Sequence, residues 1–209
     1  PFLGWRPVPI NVAALGQRAA DTRPDIQHAL IERPAHCKSQ MEFERALYLA
    51  RRDIEAQAQR EGIQGFYVPS MSCRTIVYKG LFVAPQLPEF YLDLQNPDYE
   101  TAITVFHQRY STNTFPNWER AQPFRGVCHN GEINTLQGNI NWMRAREADL
   151  ASPVWGASIN LLKPVIDLSG SDSAMLDNAL EMLNLSGRAM PHALMMLVPE
   201  AWEKLDLHP

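Results

Sequence analysis

Apolar positions along this chain recur at two spacings, and the spacing switches from segment to segment. Past Met41, the residues Phe43, Leu47, Ala50, Ile54 and Ala58 recur at helical spacing with Arg and Glu between them. This predicts an amphipathic helix that stops near Gly62. Residues 65–80, GFYVPSMSCRTIVYKG, are rich in aromatic and β-branched side chains and predict two strands around a turn. From Thr101 to Tyr110 the period is two, with Ile103, Val105, His107 and Arg109 on one face. Phe124 to His129 predicts a further strand. Asn134 or Thr135 can cap a helix toward Leu150 whose stripe is Ile140, Met143 and Ala148. Ser171-Asp172-Ser173 opens another, with Leu176, Leu180 and Leu183 in its stripe and Gly187 as its stop. Pro85 to Asp98 reads as a short helix and loop, and Pro191 starts a last helix or turn. The first 35 residues are Pro-rich and predict irregular structure with short strands. Within them Phe2, Leu3, Trp5 and Val8 look like a strand lying in a core.

Helices and strands are both present but do not alternate regularly, so an α+β layered domain is expected rather than a Rossmann fold. No repeat, low-complexity tract or dividing linker interrupts the 209 residues, a length that suits one domain or a piece of a larger one. The apolar share of 45% is that of a globular core. A net charge of −4 with mixed signs and no basic face argues against nucleic acid or an anionic membrane as partner. Apolar runs such as Ala193 to Val198 are too short to cross a bilayer. The amino terminus has neither an initiating Met nor the pattern of a secretory signal, so a cropped or processed chain is expected. Cys37, Cys73 and Cys128 match no disulfide or zinc framework and read as reduced thiols of a cytosolic protein. His107, His129 and His192 lack metal-ligand spacing, and no metal site is expected.

Candidate chemistry concentrates between His107 and Glu147. Arg109 ends the predicted strand beside Ser111, Thr112, Asn113 and Thr114. A guanidinium forks around a carboxylate through two parallel hydrogen bonds, so an amino-acid α-carboxylate suits it; the plainer reading is a surface ion pair. Asn130-Gly131 is a turn signal, because both residues tolerate positive φ. It could equally form an oxyanion hole, with the Asn130 side-chain amide and the Gly131 N–H as donors. Asp172 at a helix start is either a favourable charge at the positive end of the dipole or a counter-ion for a substrate ammonium. Cys128 and His129 resemble a dyad, but neighbours on a strand point to opposite faces and could not meet. Cys73 falls in the predicted hairpin. Trp118, Trp142 and Trp155 suit a core or lid better than a stacking platform.

Taken together, GWRPVP at 4–9, YLARR at 48–52, SCRTIVYKG at 72–80, RYSTNTFPNW at 109–118, AQPFR at 121–125, HNGEINTLQGN at 129–139, NWMRARE at 141–147, GSDSA at 170–174 and PHALMMLVPEAW at 191–202 resemble one family. That family is the glutaminase domain of glutamate synthases, a class II (N-terminal nucleophile) glutamine amidotransferase. The long runs distinguish it from the shorter amidotransferases of purine, asparagine or glucosamine synthesis. The resemblance implies a four-layer αββα sandwich of the N-terminal nucleophile hydrolase type, with residues 1–209 as a partial type-2 domain. It implies that Arg109 holds the α-carboxylate of L-glutamine, that Thr112 lines the pocket and that Asp172 takes the α-ammonium. It implies an oxyanion hole at Asn130 and Gly131.

In the family the nucleophile is a cysteine at the mature amino terminus, whose own amine is the base. Residue 1 here is proline, so the nucleophile-bearing segment is expected to be missing, the sandwich incomplete and the fragment inactive alone. The resemblance further implies ammonia passing through a tunnel to a synthase domain of the same polypeptide, where 2-oxoglutarate is aminated and reduced to glutamate. FMN, an iron–sulfur cluster and NAD(P)H or ferredoxin electrons belong to that remote part, with a small electron-transfer subunit as a further partner; this segment is expected to hold none of them. The location implied is cytoplasmic, or plastid for a plant or alga. Two alternatives stand beside the enzyme: a pseudoenzyme or glutamine-binding module, and a structural remnant without ligand.

Overall fold

The computed structural model describes residues 1–108 and 115–200. It contains helices and one small sheet, arranged as two compact units, Pro1–Gly131 and the residues from Glu132 onward.

The first unit opens on an antiparallel pair, β1 (Phe2–Pro7) and β2 (Gln27–Ile31), with the short helix α1 (Gln17–Asp21) between them in the chain. Trp5 faces Ala29 and Arg6 faces His28, with an irregularity between Phe2 and Gly4. The strand expected at the amino terminus is present, but only Val8 of its four apolar residues is buried; Phe2, Leu3 and Trp5 are exposed. Alternation sets Trp5 opposite to Arg6, since a strand turns successive side chains to opposite faces. Arg6 takes the inner face, where its guanidinium forks onto Asp93 at 2.8 and 2.6 Å. The Tyr78 hydroxyl also donates to Asp93, and His28 packs against the Tyr78 ring.

Helix α2 (Gln40–Arg60) is fixed at both ends by its own sequence. Ser39 Oγ accepts from Glu42 N, and the Glu42 carboxylate reaches back to accept from Lys38 N. At the far end Ile63 N bonds Ala58 O and Gly62 N bonds Gln59 O. This Schellman closure places Gly62 at φ +68°, a conformation that a Cβ disfavours. The buried face is Phe43, Leu47, Tyr48, Arg51 and Ala58, rotated from the expected stripe; Ala50 and Ile54 are exposed. Arg51 enters the interior because it is paired there. Its guanidinium lies over the Tyr48 ring and bonds Glu55 one turn on.

The segment from 61 to 131 carries α3 (Gln86–Phe90) and a 3-10 turn at Leu92–Gln95. Its core is aromatic. Phe90, Tyr91, Trp118 and Val8 are buried together, with Tyr67, Tyr78 and Phe82 packed on them. The strands expected at 65–80 and 124–129 are not formed, and 101–108 likewise joins no ladder, the rest of that expected strand lying outside the described residues. Period two predicts a strand only where a neighbouring chain completes the hydrogen bonds. Ile103, Val105 and Phe106 remain exposed.

The second unit is helical among its described residues. It contains α4 (Leu136–Glu147), a 3-10 stretch at Gly156–Leu162, α5 (Asp172–Leu185) and α6 (Met190–Leu197). Leu176, Ala179, Leu180, Met182 and Leu185 of α5 are buried with Leu162, Val165, Ala193 and Leu197. The expected stripe is thus right at Leu176 and Leu180, while Leu183 is half-buried. The helix expected to run to about Leu150 ends at Glu147, whose carboxylate accepts from Val165 N at 2.7 Å. No helix among the described residues is long and apolar enough to cross a membrane.

The Arg6–Asp93 fork gives unit 1 an acid-sensitive tie. Hydrogen bonds from Arg6, and then Tyr78, hold the Asp93 carboxyl below the usual carboxylate range. A depressed folded pKa stabilises above the unfolded value and is lost as pH falls through the folded one. Urea midpoints should therefore drop on acidification below about pH 4, and Asp93→Asn should make that drop shallower. An unchanged acid slope in the variant would remove this assignment.

Candidate functional site

The loop of unit 1 that leads to Asn130 and Gly131 is held from three directions. Trp118 is buried and its indole N–H donates to Ala19 O at 3.2 Å. Its ring leaves no room for a Cβ at Gly80. Lys79, also buried, donates from Nζ to Glu119 O at 2.5 Å and lies near the faces of the Tyr67 and Phe124 rings. A buried ammonium needs acceptors and π faces to replace its water, and this loop supplies them. Arg125 bonds Val68 O at 3.0 Å and Glu55 of α2 at 3.2 Å. Partly exposed pairs of this kind contribute about 0.2–1 kcal/mol, so the tie orients the loop more than it strengthens it.

Between these anchors the chain doubles back. Phe124 N bonds Val127 O at 2.9 Å. In a continued hairpin residue 122 would stand opposite residue 129, and there the Gln122 side chain does what a strand would do. Its amide donates to His129 O at 2.8 Å, and its carbonyl oxygen accepts from His129 N at 2.8 Å. The next two residues, Asn130 and Gly131, are exposed. Gly131 has φ +122°, and a Cβ there would meet only His129 Cε1 at 3.9 Å. The corner is therefore open to an incoming molecule, and its glycine is required by backbone conformation rather than by crowding.

Asp172 is the first residue of α5, in the second unit, and its side chain is exposed. The cap is Ser171, whose Oγ accepts from Ala174 N at 3.3 Å, and not Asp172. Arg109 and Thr112 lie outside the described residues. Of the five residues singled out from the sequence, Asn130 and Gly131 thus form one corner.

The thiols are ill-suited to attack. Cys128 Sγ donates to Phe106 O at 3.0 Å, and burial pushes its pKa up. Burial, followed by the neighbouring Glu44 carboxylate, raises that of Cys73. Cys37 packs with Phe43 and Leu47. The thiolate is the nucleophilic form, and each resolved shift disfavours it. Among the described residues no group of three His, Cys, Asp or Glu side chains could hold a metal ion. Trp118 and Trp155 are core residues, whereas Trp142 is exposed. Sequence reasoning quoted Gln122 and Arg125 within AQPFR but gave them no role. The register of a hairpin that ends on Asn-Gly could have pointed to residue 122.

The chain belongs to the class-II glutamine amidotransferases, whose family description matches residues 1–208. It is 47% identical over 200 residues to "Glutamate synthase [NADPH] large chain" of Bacillus subtilis, covering 96% of this chain and 13% of that one. Against the protein of the same name from Azospirillum brasilense it is 48% identical over 198 residues, 95% of this chain and 13% of the relative. It is also 48% identical over 202 residues to "Ferredoxin-dependent glutamate synthase, chloroplastic" of rice, 96% of this chain and 12% of the relative. The chain thus spans about an eighth of the length of these relatives.

The positive φ at Gly131 yields a direct check. Gly131→Ala should fold but lose about 1–3 kcal/mol, since the added methyl has space and only the dihedral is unfavourable. Thermal melts of the two proteins measure it, and an unshifted melting temperature would show that the corner relaxes to another conformation.

Proposed function

We propose that this chain is the substrate-gripping part of the glutaminase domain of a glutamate synthase, residues 1–209 being a portion of a type-2 amidotransferase domain. The observation that carries the reading is the exposed Asn130–Gly131 corner, with its glycine at φ +122°. Family membership supports it, as does near-complete coverage by relatives named glutamate synthase.

In this reading Arg109 forks onto the α-carboxylate of glutamine, Asp172 takes the α-ammonium and Thr112 lines the pocket. The amino-terminal cysteine implied by the family adds its thiolate to the carboxamide carbon. The carbonyl oxygen becomes an oxyanion, which the Asn130 side-chain N–H and Gly131 N–H stabilise. The tetrahedral intermediate collapses by expelling the nitrogen, which leaves as ammonia once protonated, and water then cleaves the thioester to glutamate. The fold completed around this site is the four-layer αββα sandwich. The ammonia passes to a synthase domain of the longer polypeptide, which aminates and reduces 2-oxoglutarate. FMN, an iron–sulfur cluster and electrons from NAD(P)H or ferredoxin serve that domain, with a small electron-transfer subunit as a further partner. The setting is the cytoplasm, or a plastid in a plant or alga.

The two halves of the pocket separate kinetically in the full-length protein. Arg109→Ala removes ground-state grip and should raise KM for glutamine, whereas Asn130→Ala should lower kcat about 10²–10³-fold. Ammonia release with wild-type rates in both would reject the assignment. The 209 residues purified alone should release no ammonia from glutamine, because the cysteine this mechanism uses is none of Cys37, Cys73 and Cys128; measurable release would contradict the mechanism.

A further inference from the structure

Resting on the oxyanion reading of Asn130 and Gly131, we infer that Gln122 is the positioning residue of that corner. It fixes the peptide plane from which the donors project, through two simultaneous hydrogen bonds to the main chain of His129. Both bonds are 2.8 Å long and run to the same residue. The amide orientation is unambiguous, since His129 N–H requires an acceptor and His129 C=O requires a donor. A primary amide presents that pair in one plane, the arrangement an adjacent strand would offer. Accepting at His129 O fixes the 129–130 peptide plane, leaving one residue's torsions between the clamp and the Gly131 N–H. The clamp is itself braced. Phe124 N–Val127 O closes the loop inside it, Arg125 ties that loop to α2, and Lys79 holds Glu119 three residues before it. An exposed Asn-Gly corner would otherwise sample many orientations. Electrostatic stabilisation of a transition state requires donors already in place.

Two substitutions in the full-length protein test this, with glutamine-dependent ammonia release as the readout. Gln122→Glu keeps the acceptor for His129 N–H but sets an unprotonated oxygen against His129 C=O. Gln122→Met keeps the length and removes both bonds. For variants that melt as folded proteins, kcat should fall roughly tenfold to hundredfold while KM stays within about twofold. In an Asn130→Ala background the same substitutions should cost a smaller factor, because one donor they would misplace is already gone. An unchanged kcat, a rise confined to KM, or equal factors in both backgrounds would overturn the role of Gln122. Loss of folding in both variants would overturn it too, since the clamp would then serve the fold and not the corner. If Asn130→Ala itself left kcat intact, the oxyanion reading would fall and take this inference with it. A drop for Asn130→Ala with none for the Gln122 variants would remove Gln122 alone.

Discussion

Burying the Lys79 ammonium imposes an order on unit 1. A charge taken out of water must be compensated locally, and an isolated one would cost several kcal/mol even after relaxation. The compensation comes from Glu119 O and the ring faces of Tyr67 and Phe124. The Lys79 carbonyl accepts the Tyr91 hydroxyl at 2.7 Å, so the same residue is tied into the aromatic core. A loop that would otherwise lie loose on the surface is thereby drawn onto Phe90, Tyr91 and Trp118. Residues 119–129 are placed by that contact together with the ties of Trp118 and Arg125.

The polar ties around this loop share a logic. Arg51, Arg125 and Lys79 bring cations into a largely apolar interior, and each is met by a carboxylate, a carbonyl or a ring. Such contacts add less net stability than the hydrophobic packing beside them, but they are directional. Directionality is what an electrostatic site needs, because a donor misplaced by an ångström loses much of its effect. In the proposed glutaminase, apolar burial would supply the energy and the polar ties the geometry.

Membership of the class-II glutamine amidotransferases follows from the match over residues 1–208. It gives the Asn130–Gly131 corner a chemical context that a turn alone lacks. The corner is exposed, and its glycine holds a positive φ. Its two residues arise from local sequence, whereas Gln122, seven residues before His129, acts on them through the loop's return. Asp172 is likewise placed by local sequence, with Ser171 assuming the capping role at the start of α5.

The sequence by itself determined the family, through long runs such as HNGEINTLQGN and NWMRARE, and the local elements whose signals are self-contained. The helix cap at Ser39, the Schellman closure at Gly62 and the α5 cap at Ser171 involve only residues within a turn of one another, so they are legible without a fold. Tertiary structure decided which faces are inner. It put Arg51 rather than Ala50 in the interior, because Glu55 and Tyr48 were there to receive it, and turned Trp5 outward, because Arg6 had Asp93 to meet. It also left the period-two run at 101–108, and the other expected strands at 65–80 and 124–129, without ladders. A strand is a relation between two segments, and alternation along one of them cannot say whether its partner is in place. The Gln122–His129 clamp is of the same kind: each residue is plain in the sequence, and only the returning chain makes them a pair.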